Sequence, residues 1–310
     1  MKGQQCSLLG NLLVKFLLNL DENWIEDKLR YRLVRALIET VRDFNKIKCV
    51  KIIVSVRYDL LQRIFKVTRD AGYQEEKYDS MYLKLNWSKH YLGSLLDERI
   101  NHLIQQRYTS QKVSYHDIMP NKIKKIDPLD YILERTFMRP RDLISFLNYC
   151  IQKSEDSPII SPKTIQNAEH EYSRFRLRSL ADEWFADYPN LLEYAMILKG
   201  KPSHFQLSLL RKEDVEDFCL ALSITKPEYN DDLSYAGSQV ATGECHVEDF
   251  KKILIKVFYI VGLIGVKLEA YEQYGWSYNL PRYFADTEVD GTTKIAIHPM
   301  FYRAMGIKAS

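Results

Sequence analysis

Three places in this chain gather residue types that suit phosphate chemistry. The first is Asp21-Glu22, which comes after the apolar run Leu12 to Leu18 within LLVKFLLNLDENW. Carboxylates held at the exit of a buried strand can hold Mg²⁺ and polarise an attacking water. The second is Arg57, in Arg57-Tyr58-Asp59, at the end of a second apolar run from Val50 to Val56. The third is Arg139-Pro140-Arg141-Asp142. Proline is well placed at a first helical position, so the two arginines would flank a helix N-terminus, which already favours anions. Each place has a plainer reading. Asp21 and Glu22 suit the start of a helix, whose dipole attracts acids. Arg139 and Arg141 could pair with Glu134 or Asp142 as ordinary surface ion pairs.

The elements that must position these groups can be read from periodicity. Ile25, Leu29, Leu33, Leu37, Val41 and Phe44 recur at helical spacing between the two apolar runs. A strand–helix–strand unit results, with acids and an arginine at the strand ends, where open α/β sheets bind ligands. Ser88 is placed to cap a helix carrying Leu92, Leu96 and Ile100. Residues 108–127 are polar and basic and read as a boundary. Helical patterns then cover 129–137 and 140–151, and Ser161-Pro162 starts a long helix that runs past Trp184. Gly200-Lys201-Pro202 is a break. Residues 247–266 read as one or two packed helices. Strand-like pieces are expected at 266–268, 276–280 and 293–297, before a short closing helix from His298-Pro299. The expected fold is mostly α, with a partial parallel α/β sheet at the N-terminus, a helical middle and a C-terminal winged helix-turn-helix. The expected domains are 1–107, 108–202 and 203–310.

Composition narrows the function classes. A chain of 310 residues, 46% apolar and 27% charged, has the makings of two or three globular cores. A net charge of +3 is too small to argue for nucleic-acid or membrane binding. The five cysteines contain no CxxC pair, which speaks against a disulfide framework and for a reducing, cytoplasmic setting. The run Ile253 to Val266 contains Lys256 and is short for a bilayer, so no membrane segment is expected. His246-Val247-Glu248 has the H-x-E of zinc deaminases, but no PCxxC comes after it. None of the seven histidines stands at HExxH or HxxxH spacing.

The order of motifs resembles the C-terminal part of bacterial P-loop ATPases of the STAND or AAA+ kind. The resemblance is carried by Asn19-Leu20-Asp21-Glu22-Asn23-Trp24 as a Walker B, Arg57-Tyr58-Asp59 as a strand end, and RPRDLISFLN from Arg139 to Asn148 as a lid helix. Gly262-Leu263-Ile264-Gly265 and Ile297 through Phe301 look like the terminal winged domain of that group. The resemblance implies that Asp21 ligates Mg²⁺, that Glu22 orients the water, and that Arg57, Arg139 and Arg141 contact ATP. It departs from the group in lacking any GxxxxGK[ST]. The expectation is therefore the C-terminal portion of an ATP-dependent switch that does not hydrolyse ATP by itself, either a piece of a split or truncated ATPase or a degenerate relative. The α/β part is expected to self-associate or bind a partner protein. The alternative is a non-enzymatic winged module that binds nucleic acid or a partner, with bacterial defence as one setting. Lys251, Lys252, Lys256 and Lys267 would then make the phosphate contacts, diluted by nearby acids.

Overall fold

The computed structural model describes residues 13–17, 26–44, 47, 50–57, 60–61, 64, 67–68, 80–83, 85–104, 110–154, 157–225, 231–269, 271–279 and 286–309. The chain divides into two compact units, Met1–Lys84 and Leu85–Ser310. It is mostly helical, with a small three-stranded antiparallel sheet in the second unit.

In the first unit, β1 (Leu13–Leu17) and β2 (Val50–Val54) pair in parallel, Leu13 beside Val50 and Leu17 beside Val54, and α1 (Asp27–Phe44) connects them. The core of this unit is small: Tyr31, Val34 and Ile38 of α1 with Leu60 and Ile64. The helix has two apolar stripes, and the buried one is not the stripe that periodicity singles out. Leu29, Leu33 and Phe44 are exposed, as is Ile53 on β2. The stripe of Tyr31, Val34 and Ile38 packs on Leu60 and Ile64, and the other stripe is left in water.

The second unit opens with α2 (Lys89–Ile104), whose first turn is capped by Ser88 Oγ accepting from Tyr91 N at 3.3 Å. Leu92, Leu96 and Ile100, at helical spacing, are buried in the core of this unit. The expected boundary at 107/108 therefore falls too late: α2 packs with the helices C-terminal to it, and the units divide between 84 and 85. Then come α3 (Tyr115–Ile118), α4 (Pro128–Leu133), α5 (Pro140–Gln152) and α6 (Pro162–Glu183). Asp127 caps α4 and Ser161 caps α6, each just ahead of a proline at the first turn. α5 has Pro140 at its first position and no side-chain cap.

The remainder is α7 (Leu191–Ala195) with a 3₁₀ turn at Met196–Leu198, β3 (His204–Gln206), α8 (Lys212–Thr225), α9 (Asp232–Thr242), α10 (Val247–Ile260), β4 (Ile264–Lys267), β5 (Lys294–Ile297) and α11 (Tyr302–Met305). β5 lies in the middle of the sheet, antiparallel to β3 through Phe205–Ile295 and to β4 through Val266–Ile295. Helix, strand, helices, then two strands with the last one central is the order of a winged helix, here with one more helix. Residues 276–279 do not form the expected strand. Among the described residues there, Gly275 alone bridges to Val266, and the chain turns so that the Trp276 indole lies over Gly265, where a β-carbon would come within 2.8 Å of the ring.

No break in packing occurs at 202/203. One hydrophobic core runs from Leu92 to Met305, and α11 packs on α6, so the middle and terminal segments form one body. Among the described residues no helix is long and apolar enough to cross a membrane.

Candidate functional site

The turn between α4 and α5 is built around Asp142, the third residue of α5. Its Oδ2 accepts from the backbone N–H of Phe137 at 3.0 Å, folding the approach to the helix back on the helix itself. Thr136 Oγ1 donates to Leu133 O and accepts from Met138 N. Met138 takes φ +53°, a left-handed conformation that an unbranched side chain tolerates at a modest cost. Arg139 then returns to extended backbone at φ −108°, and Pro140 starts the helix. From within, Arg176 on α6 faces Asp142 at 3.2 Å, both buried. Arg176 Nε and Asp142 Oδ1 have no hydrogen-bond partner, so the two charges are held by proximity rather than by aligned bonds.

With Asp142 committed inward, Arg139 and Arg141 are both exposed at the α5 N-terminus. Arg139 lies 3.4 Å from Glu183 and rests on the Phe137 ring, 5.4 Å from its centroid. The expected local partners are otherwise engaged: Glu134 pairs with Arg135 and Asp142 with Arg176. Arg141 has no ion pair among the described residues. Two cations at an uncapped helix N-terminus of a 13-residue helix fit an anion such as a phosphate.

Phe137 joins this turn to the winged segment. Its ring packs against Tyr278, His298 and Phe301, with centroids 4.9, 5.0 and 6.1 Å away. Gly262, at φ +83°, lies beneath it, where a β-carbon would be 3.1 Å from the ring. His298 is fully buried in this cage. Its Nδ1 accepts from Met300 N and its Nε2 meets the Tyr278 hydroxyl at 3.0 Å. The backbone donor assigns the imidazole proton to Nε2. Burial first, then the fields of Arg135 and Arg176, push its pKa down to about 3, so the ring is neutral.

A second junction lies beside the first. Glu169 on α6, buried, accepts from Tyr131 OH at 2.5 Å and from Arg135 Nε at 3.0 Å, and Arg303 of α11 approaches it at 3.7 Å. Arg135 also lies over the Tyr131 ring at 3.6 Å and donates to Tyr131 O. Tyr172 OH donates to Arg135 O. Burial raises the pKa of both tyrosines above the usual phenol range.

Of the sequence candidates, Arg139 and Arg141 are brought together at one helix end. Arg57 is exposed just after β2, in the other unit. Asp21 and Glu22, expected to hold Mg²⁺ and orient water, lie outside the described residues. Among the described residues no group of three or more His, Cys, Asp or Glu is placed to hold a metal. Sequence reasoning missed Phe137, Glu169, Arg176 and His298. Asp142 left a trace, as an acid three positions into a helix started by proline, and His298 one as the residue before the proline of the closing helix. Burial raises the thiols of Cys150 and Cys219 to about 12, which disfavours the thiolate that nucleophilic chemistry needs.

No curated protein and no solved structure matches the chain. Residues 90–181, from α2 almost to the end of α6 and including the arginine turn, match the family model of a FunZ-associated C-terminal helical domain.

Proposed function

We propose that this chain is the lid-and-wing portion of an ATP-dependent switch, in which the Arg139–Arg141 turn reads a phosphate group and passes its state to the winged segment. One observation carries the reading: the turn that presents both arginines is clamped to α6 by Asp142–Arg176 and seated in the wing by Phe137. An anion that draws Arg139 away from Glu183 also disturbs its contact with the Phe137 ring, and hence the cage around His298. In the same reading Asp21 holds Mg²⁺, Glu22 orients water and Arg57 contacts the nucleotide, while the P-loop comes from elsewhere. The exposed apolar stripe of α1 with Ile53 of β2 supports a partner surface on the α/β part.

The alternative, a winged module binding nucleic acid, has less support. On α10, Lys251 pairs with Glu248 at 2.8 Å and Lys252 with Asp249 at 3.2 Å, which removes cations that phosphate contacts need.

Trp276 packs on His298 with centroids 5.0 Å apart, so its emission reports on the cage. With Trp24, Trp87 and Trp184 replaced by phenylalanine, titration with MgATP at millimolar levels is expected to change that emission saturably. Arg139→Ala/Arg141→Ala is expected to abolish the change. A signal indifferent to MgATP, or one that survives the double substitution, defeats the reading.

A further inference from the structure

We infer that the second unit carries a self-complementary docking pair, in which the outer stripe of α8 from one copy of this chain sits in the α6/α7 groove of another. The groove, of about 330 Å³, is lined by Arg174, Leu177 and Arg178 of α6, Leu192 and Glu193 of α7, and Met196 of the turn after α7. Leu177 lies at the floor between the two arginines, and Leu192 and Met196 are exposed beside it. Arg174 and Arg178 stand one helical turn apart and form no ion pair among the described residues. Like charges at that spacing repel, and an acidic partner would relieve the repulsion.

The complement is on the same chain. Glu213, Asp217, Leu220 and Ile224 of α8 occupy positions i, i+4, i+7 and i+11, which align along one face of a helix. All four are exposed, Leu220 by 51% and Ile224 by 72%, although both are large apolar side chains. Glu213 and Asp217 form no ion pair among the described residues, whereas their neighbours Asp214 and Glu216 are taken by Arg211 and Lys212. The stripe is thus two acids one turn apart, without an ion pair among the described residues, and then two apolar residues. The groove is two bases one turn apart, without an ion pair among the described residues, around and beside an apolar floor. Charge spacing and sign correspond, and each patch sets its charges beside apolar surface. Both faces are exposed within one chain, so neither covers the other, and the contact joins two different patches on two copies.

The test is sedimentation velocity of the full chain at low and high salt, with Ile53→Asp in every sample to silence the α/β surface. Arg174→Glu/Arg178→Glu and Glu213→Lys/Asp217→Lys change exposed side chains, and their melting temperatures check that the fold is intact. Expected is a salt-sensitive, concentration-dependent association that either double substitution weakens by about tenfold, two surface pairs being exchanged for two repulsions. Mixing the two variants in equal amounts is expected to restore it, because each then offers the charge that the other lacks. No association in the parent, association untouched by both substitutions, or a mixture that stays dissociated overturns the inference. So does binding of a single-stranded oligonucleotide through Arg174 and Arg178 without self-association, which assigns the groove to nucleic acid.

Discussion

Asp142 does two things at once: it accepts the Phe137 N–H and it neutralises Arg176 inside the second unit. Removing one partner of a buried ion pair leaves the other charge unpaired, at about 3–5 kcal/mol. Asp142→Asn keeps an acceptor for Phe137 but strands Arg176, so denaturant melts are expected to show a loss of that size. Asp142→Asn/Arg176→Met removes both charges and is expected to recover most of it; a double variant worse than the single one refutes a charge-based account. His298 gives the pH dependence. Its folded pKa is about 3 and its ordinary value 6.5. The unfolded chain takes up a proton as pH falls through 6.5, and the folded chain does not until near 3. The stabilisation from a neutral His298 is therefore complete above about pH 6.5 and is lost as pH falls towards 3. Between about pH 7 and pH 5 this one group costs about 2 kcal/mol. His298→Gln, whatever its effect at neutral pH, is expected to flatten the stability profile by that amount over the same window. Parallel profiles for the two proteins would mean that the imidazole titrates normally.

At the scale of elements, α2 is the informative case. Its sequence sits among the residues assigned to the α/β part, yet Leu92, Leu96 and Ile100 fill the helical unit. Burying each such side chain contributes roughly 1.5–3 kcal/mol. A fragment of residues 85–310 is accordingly expected to melt cooperatively. One of residues 110–310, without α2, is expected to lose its cooperative transition and bind a hydrophobic dye. A cooperative melt of the shorter fragment at unchanged temperature would place α2 outside the core. α1 teaches the same lesson in reverse. Its periodicity is sound, but a helix with two apolar stripes does not say which one its neighbours cover.

For the whole molecule, the arginine turn, α6 and the wing form one packed body, while the acids and Arg57 belong to the first unit's sequence. The sequence contains no GxxxxGK[ST], the loop that cradles β- and γ-phosphates in P-loop enzymes. The purified chain is expected to release phosphate from MgATP no faster than a buffer blank. Turnover that disappears in Asp21→Asn/Glu22→Gln would show that a complete catalytic site exists after all. Phe137→Ala separates sensing from transmission: MgATP is expected still to protect the Arg139–Arg141 turn from trypsin, while the Trp276 response is lost.

Helix starts were legible from the chain alone because caps are local. Ser88, Pro140 and Ser161-Pro162 act on backbone groups within a turn of themselves, and all three stand where the pattern places them. The arginines of RPRD were legible for the same reason, as residues that a proline-led helix start leaves exposed. What only the tertiary structure decided is which long-range partners those residues meet. β3 is three residues long and exists because β5 pairs with it. Phe137 meets Tyr278 and His298, Asp142 meets Arg176, and Glu169 is shared by Arg135 and Arg303. These pairs are far apart along the chain and carry no periodic signature. Burial sets their worth, because the same charges and rings in water would contribute little, and burial is a property of the packed whole.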